Sequence, residues 1–331
     1  SETMKLIEAL LQEARVPKAI IMGGGAGAGK THLAGQFIKI AEENGWQYLN
    51  PDTYARNPDK EKRLPLSSAS KKINQELEDA VTGDAKPNLV WDTTASNPNA
   101  VLGVKQNGYN VLMIMVYAHP MAAFQSNFER ADKEGEAAIP TQGVFATWLK
   151  SYNPENIEAY KRAFGDNFLL VNNTSKPGID MKLIEDFNQA VEAGPKAMQK
   201  YIEDLVEEHP DKYKQTMFDR GEVELPTEAA EAFTTGVAQA GIIFQDEREE
   251  NNLKKAALKY FEKKGEPMPP AKIGRTNGME ETLETLRKKA KASEETKQRM
   301  YVELHAALSK VISADSTIDE AVDRAKAFIE S

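Results

Sequence analysis

The stretch AIIMGGGAGAGKTHLA, residues 19–34, limits the fold more than any other part of the chain. Four apolar residues bounded by glycine read as a buried strand, and helical patterning resumes at Lys30. Between them, Gly24, four residues, Gly29, Lys30 and Thr31 have the spacing of a phosphate-binding loop in the strand-to-helix setting such a loop needs. The small residues Gly24, Gly25, Ala26, Gly27, Ala28 and Gly29 let the backbone wrap so that successive N–H groups point at phosphate oxygens. The helix start adds its positive dipole end. Lys30 is expected to reach the β- and γ-phosphates of ATP, and the Thr31 hydroxyl to complete the shell of a Mg²⁺ ion.

Four further apolar runs follow: QYLN (47–50), NLVW (88–91), NVLMIMVY (110–117) and NFLLVNN (167–173), with amphipathic stretches between them. Strands spaced by helices predict right-handed βαβ units, hence an α/β fold with a parallel sheet sandwiched by helices. After residue 175 the apolar spacing is helical only, which predicts a helical C-terminal domain. The expected organisation is a P-loop domain over residues 1–175 and an all-helical domain over 176–331, with 263–278 as its long loop. Within the latter, separate helices are expected over Met279–Ala292 and Ser293–Ser313.

Composition excludes several classes. The chain of 331 residues has no cysteine, so disulfide frameworks, zinc fingers and thiol catalysis are out. No run approaches the ~18–20 apolar residues of a membrane span, and the acidic amphipathic N-terminal stretch is unlike a signal peptide. A cytoplasmic protein with no membrane association is expected. The net charge of −9 argues against a generic basic nucleic-acid coat. Residues 1–175 hold 18 Lys and Arg against 20 Asp and Glu; residues 176–331 hold 24 against 31, so the acid lies in the second half. That half matches no motif, the D-x-D-x-T phosphatase signature included; it could serve a homo-oligomer or a protein partner.

A phosphate loop specifies a nucleotide and leaves the reaction open, so the ends of the other strands must decide. NPDTYAR puts Asp52 two residues past the second strand, where a carboxylate can accept the proton of an attacking hydroxyl, or can instead start a helix. DTTASNPN after the third strand supplies Asp92, Thr93, Thr94 and Asn97 as a polar rim for a hydroxylated substrate; Asp92 could also hold a magnesium-bound water, and turn chemistry is the plain alternative. After the fourth strand, Arg130 and Lys133 lie three apart on a helix that could act as a lid, where a cation stabilises a transferring phosphoryl group. His119 reads as a packed or capping residue. Asn172, Asn173 and Lys176, at the end of the fifth strand, are candidates for contact with adenine.

In this order the motifs resemble the kinase domain of phage-type polynucleotide kinase and, more distantly, the zeta-toxin kinases, over roughly residues 18–173. The resemblance implies that Asp52 in NPDTY, with Tyr54 alongside, is the general base. It implies substrate-side roles for Asp92, Thr93 and Asn97, and a basic lid running from Arg130 to Pro140. The family's second lid arginine corresponds to Glu134 here, beside Lys133; the arginine after the base corresponds to Ala55, with Arg56 next to it as a substrate contact.

Three readings follow. The first is an ATP- and Mg²⁺-dependent kinase whose acceptor is a nucleic-acid hydroxyl, either a 5′ end or a hydroxymethylated base as in phage DNA modification. The second keeps the chemistry on a nucleotide-sugar or other small metabolite. The third is not a kinase but an ATP-binding switch or scaffold whose helical half does the work, with slow hydrolysis only.

Overall fold

The computed structural model describes residues 2–13, 15–64, 66–134, 141–174, 178–208, 224–245, 247–264, 276–309 and 316–331. Five parallel strands form one sheet: β1 (Lys18–Gly23), β2 (Gln47–Leu49), β3 (Leu89–Thr93), β4 (Asn110–Tyr117) and β5 (Phe168–Asn172). Their order is β2-β3-β1-β4-β5. All five are those expected from the apolar runs. β1 is central because it alternates with nothing polar: Ala19, Ile20, Ile21 and Met22 are wholly buried, as are Leu112 through Val116 of β4. A strand buried on both faces needs helices above and below, which is the doubly covered parallel arrangement.

One face of the sheet is covered by α2 (Lys30–Ala34), α3 (Ile38–Glu43) and, from the far end of the chain, α15 (Ile318–Glu330). Leu33, Ala34, Phe37 and Ala41 pack there with Ala321, Val322, Ala325 and Ile329 over Ile20, Met22, Ile114 and Val171. The other helices of the first half are α1 (Glu2–Glu13), α4 (Asp52–Ala55), α5 (Leu66–Thr82), α6 (Pro98–Gln106), α7 (Pro120–Glu134), α8 (Thr141–Ser151) and α9 (Pro154–Phe164). Then come α10 (Met181–Ala193), α11 (Pro195–Glu208), α12 (Thr227–Ala240), α13 (Glu247–Lys264) and α14 (Thr276–Ser309).

The chain divides into two compact units, residues 1–218 with 302–331, and residues 219–301. A cut at 175 is not where this division falls. α10 packs on α7, and α15 packs on α2, α3 and β5, so both ends of the helical half belong with the sheet. The return is tied down at residue level. Ser316 N donates to Leu170 O at 3.1 Å, and Lys18 Nζ at the head of β1 donates to Phe328 O at 3.1 Å. In the second unit, Ala232, Phe233 and Leu253 form a small core, with Phe233 stacked on Phe244. Arg287 Nε donates to Glu249 Oε1 at 2.6 Å.

The expected pair of helices at 279–292 and 293–313 is instead the single α14. Ser293 can start a helix, but no Gly or Pro stands near it to end the preceding one, so the helix runs through. Most of the expected loop at 263–278 lies outside the described residues.

Candidate active site

The glycine-rich loop occupies the C-terminal end of β1, where the backbone has little room. A Cβ on Gly24 (φ +148°) would stand 2.5 Å from Val116 O, and one on Gly27 (φ +75°) would press into the Ala123 carbonyl. Only glycine meets both the positive φ and the close approach. Lys30, first residue of α2, lies back across the loop, donating from Nζ to Gly24 O at 2.6 Å and Gly25 O at 3.2 Å. Thr31 is exposed beside it.

Asp92 comes to this end from the neighbouring strand, since it pairs with Met22 in the β1–β3 register, two residues before Gly24. It is buried. Asp52 arrives from β2, beyond β3. The segment Asn50-Pro51-Asp52 turns sharply: Asp52 N donates to Asn50 Oδ1 at 2.9 Å, and Asn50 Nδ2 donates to the Tyr48 hydroxyl at 2.9 Å. Asp52 is thus the first residue of α4, whose N-cap is Pro51, and no side-chain cap bond is made there. Its carboxylate instead faces Arg56, with Oδ1 3.5 Å from Nε, and both side chains are largely covered.

The two acids share one field. Burial first, then the negative charge of Asp92 and, more weakly, of Asp52, pushes the Tyr48 phenol well above its ordinary value, offset in part by the Asn50 hydrogen bond. The cradle, Asp92 and Asp52 therefore form a row along the C-terminal edge of three adjacent strands, where parallel sheets place their ligands.

The other expected positions vary. Thr93 Oγ1 accepts from Ala95 N at 3.2 Å, holding a turn in which Ala95 takes φ +53°. Thr94 and Ser96 hydroxyls bond each other, and Asn97 Oδ1 caps α6 by accepting from Asn99 N at 3.1 Å. The oxygens of this rim are therefore engaged in turn and cap chemistry. Tyr54 donates to Glu76 on α5 with the Lys72 ammonium over its ring at 4.2 Å. Arg130 and Lys133 fall on α7, but their side chains, residues 135–140 with Pro140, and Lys176 lie outside the described residues. His119 caps α7 through Nδ1, which accepts from Met121 N at 3.1 Å, so the capping reading of this residue matches its contacts. Asn172 is exposed. Asn173 is buried, and its Nδ2 donates to Ala28 O of the glycine loop at 2.8 Å.

Two participants had no clear sequence signal. Asn50 shapes the turn carrying Asp52; an Asn before Pro-Asp is a turn signal that could have found it. Tyr152 accepts from Gly25 N at 3.0 Å and donates to Val116 O, across separations of 127 and 36 residues that no local pattern spans.

A glycine loop and lysine at the end of a central parallel strand, flanked by acids from the next two strands, define the fold class: a P-loop α/β fold with its phosphate loop at the C-terminal edge of a parallel sheet. A family model described as Zeta toxin matches residues 3–146. No curated protein sequence matches the chain. Among solved structures, a chain of the AvrRxo1-ORF1:-ORF2 complex with ATP is similar at 17% identity over 50% of this chain and 57% of that one, with a TM-score of 0.38. A chain of the PezAT chromosomal toxin-antitoxin system of Streptococcus pneumoniae is similar at 16% identity, over 58% of this chain and 87% of that one, TM-score 0.34. A gluconokinase from Sinorhizobium meliloti 1021 gives 13% identity, 59% and 99% coverage and a TM-score of 0.28. The chain spans little more than half the length of the AvrRxo1 chains it matches at 50% coverage.

Proposed function

We propose that the protein transfers the γ-phosphate of ATP to a hydroxyl, with Asp52 as the base. The observation that carries this reading is the row of phosphate loop, Asp92 and Asp52 along one edge of the sheet. The acceptor hydroxyl oxygen attacks the γ-phosphorus, the bond to the β–γ bridging oxygen breaks, ADP leaves, and Asp52 takes the hydroxyl proton. Lys30 neutralises charge on the β- and γ-phosphates. Arg130 and Lys133, on the helix after β4, are the candidates for covering the transferring group.

Magnesium fits the donor set. Thr31, in the first turn of α2, and Asp92, on β3, offer hard oxygens, which suit Mg²⁺ in combination with phosphate oxygens. Among the described residues no group of three His, Asp or Glu forms a metal cage, and this mode of binding does not need one. The bound ion would neutralise charge on the phosphate oxygens.

The acceptor reading supported best is a soluble hydroxylated metabolite such as a nucleotide-sugar. The Zeta toxin match over residues 3–146 and the net charge of −9 favour it. A nucleic-acid hydroxyl is the second reading, supported by the likeness of NPDTY and DTTASNP to polynucleotide kinases. Arg56, Thr93, Thr94 and Asn97 are proposed on the acceptor side. In either case the C-terminal helices are candidates for contact with a partner chain.

Incubation with γ-labelled ATP and a panel of nucleotide-sugars, DNA, RNA and hydroxymethyluracil-containing DNA tests this. Label is expected on a small acceptor and absent with Lys30→Ala. Label on DNA or RNA alone, with affinity falling steeply with salt, would establish the second reading instead. No transfer to any acceptor would reject both.

A further inference from the structure

The glycine loop is held from outside at two points, its entry and its exit. At the entry, the Gly25 N–H donates to the Tyr152 hydroxyl at 3.0 Å while that hydroxyl donates onward to Val116 O of β4. Tyr152, just past α8, is wholly buried, with its ring tilted against Trp148 and edge-on to Tyr117. Burial pushes its phenol well above the ordinary value, so the hydroxyl keeps the proton it gives to Val116. At the exit, Asn173 Nδ2 donates to Ala28 O at 2.8 Å. Asn173 is fixed in turn by its own N–H on Tyr117 O at 2.6 Å. Both braces thus run to β4 or its end, the strand beside β1, and both residues lie beyond residue 146, where the family match stops.

We infer that Tyr152 and Asn173 are positioning residues that preset the loop for a triphosphate, so that Asn173 serves the phosphates through Ala28 and does not select adenine. A glycine-rich loop has many backbone states, and binding must otherwise fix them when the phosphates arrive. Two buried hydrogen bonds that already fix Gly25 and Ala28 remove part of that cost. The inference rests on the nucleotide-binding half of the proposed function and not on the transfer step.

The test measures binding of ATP, GTP and inorganic tripolyphosphate to the full chain, in wild type, Tyr152→Phe and Asn173→Ala, with the folded fraction checked by circular dichroism at the assay temperature. Both variants are expected to bind all three ligands about tenfold more weakly, in equal proportion, the size expected for losing the one buried hydrogen bond that each side chain makes to the loop. Unchanged dissociation constants in folded variants would overturn the inference. So would a loss in Asn173→Ala confined to ATP, which would make it an adenine contact. If Tyr152→Phe does not fold, the ligand profile of Asn173→Ala decides alone. A wild type that binds triphosphates but labels no acceptor rejects the phosphotransferase reading and leaves the brace standing; one that binds none of the three rejects both.

Discussion

Asp52 and His119 carry the same local signal, a polar side chain at the start of a helix, and their partners separate them. His119 is tied on both nitrogens: Nδ1 accepts from Met121 N–H, so Nε2 carries the proton and donates to Asn188 Oδ1 at 2.9 Å. Asp52 has left the capping position to Pro51 and turned to Arg56. The tie on His119 gives a prediction with a definite sign. Burial lowers its pKa below the 6.5 of the free side chain, outweighing the Asn188 hydrogen bond. The unfolded chain therefore binds the proton first, so His119 contributes stability above about pH 6.5 that is lost as pH falls below it. The urea midpoint is expected to drop between pH 7.5 and 5.5 in wild type and to drop less in His119→Asn, which can still cap. Equal slopes would show that His119 does not contribute. The Gly24–Thr31 spacing and both candidate acids were legible at this scale because their chemistry is local. The roles of Tyr152 and Asn173 were not, because each acts on a loop more than a hundred residues away.

Among the elements, α15 departs most from what its place in the sequence suggests. Its apolar spacing predicts a helix correctly, and periodicity says nothing about which sheet or bundle that helix will cover. Ala321, Val322, Ala325 and Ile329 lie over β1, β4 and β5 with α2 and α3, so the last turns of the chain complete the layer behind the glycine loop. Thr317 starts this helix with a full capping box, its hydroxyl accepting from Glu320 N at 3.2 Å and Glu320 Oε2 accepting from Thr317 N at 2.9 Å. Thr317→Ala is expected to lower unfolding free energy by about 1 kcal/mol, the usual loss for a removed N-cap. The measurement is urea unfolding followed by tryptophan fluorescence, to which Trp46, edge-on to Phe328 of α15 at 6.3 Å, contributes with Trp91 and Trp148. A variant as stable as wild type would mean that α15 does not support the sheet. The five strands were legible for the opposite reason. Four of them are short apolar runs closed by Asn, Asp or Gly, the fourth strand being closed by Ala-His-Pro, and burial of the central strands on both faces needs no partner-specific pattern.

For the whole molecule, the sequence divides by texture and the structure by contact. Strand-bearing and helix-only halves meet near residue 175, but the compact units are 1–218 with 302–331 and 219–301. Texture cannot show a chain that leaves and returns. Among the described residues no helix is long and apolar enough to cross a membrane. The proposed activity turns on Asp52 acting on the acceptor and not on ATP. The most direct measurement is single-turnover phosphoryl transfer by Asp52→Asn, paired with ATP affinity in the same variant. Transfer is expected to slow by at least about 10²-fold, the usual loss when a general base is removed, with ATP affinity within a few-fold of wild type. Transfer at the wild-type rate would show that Asp52 is not the base.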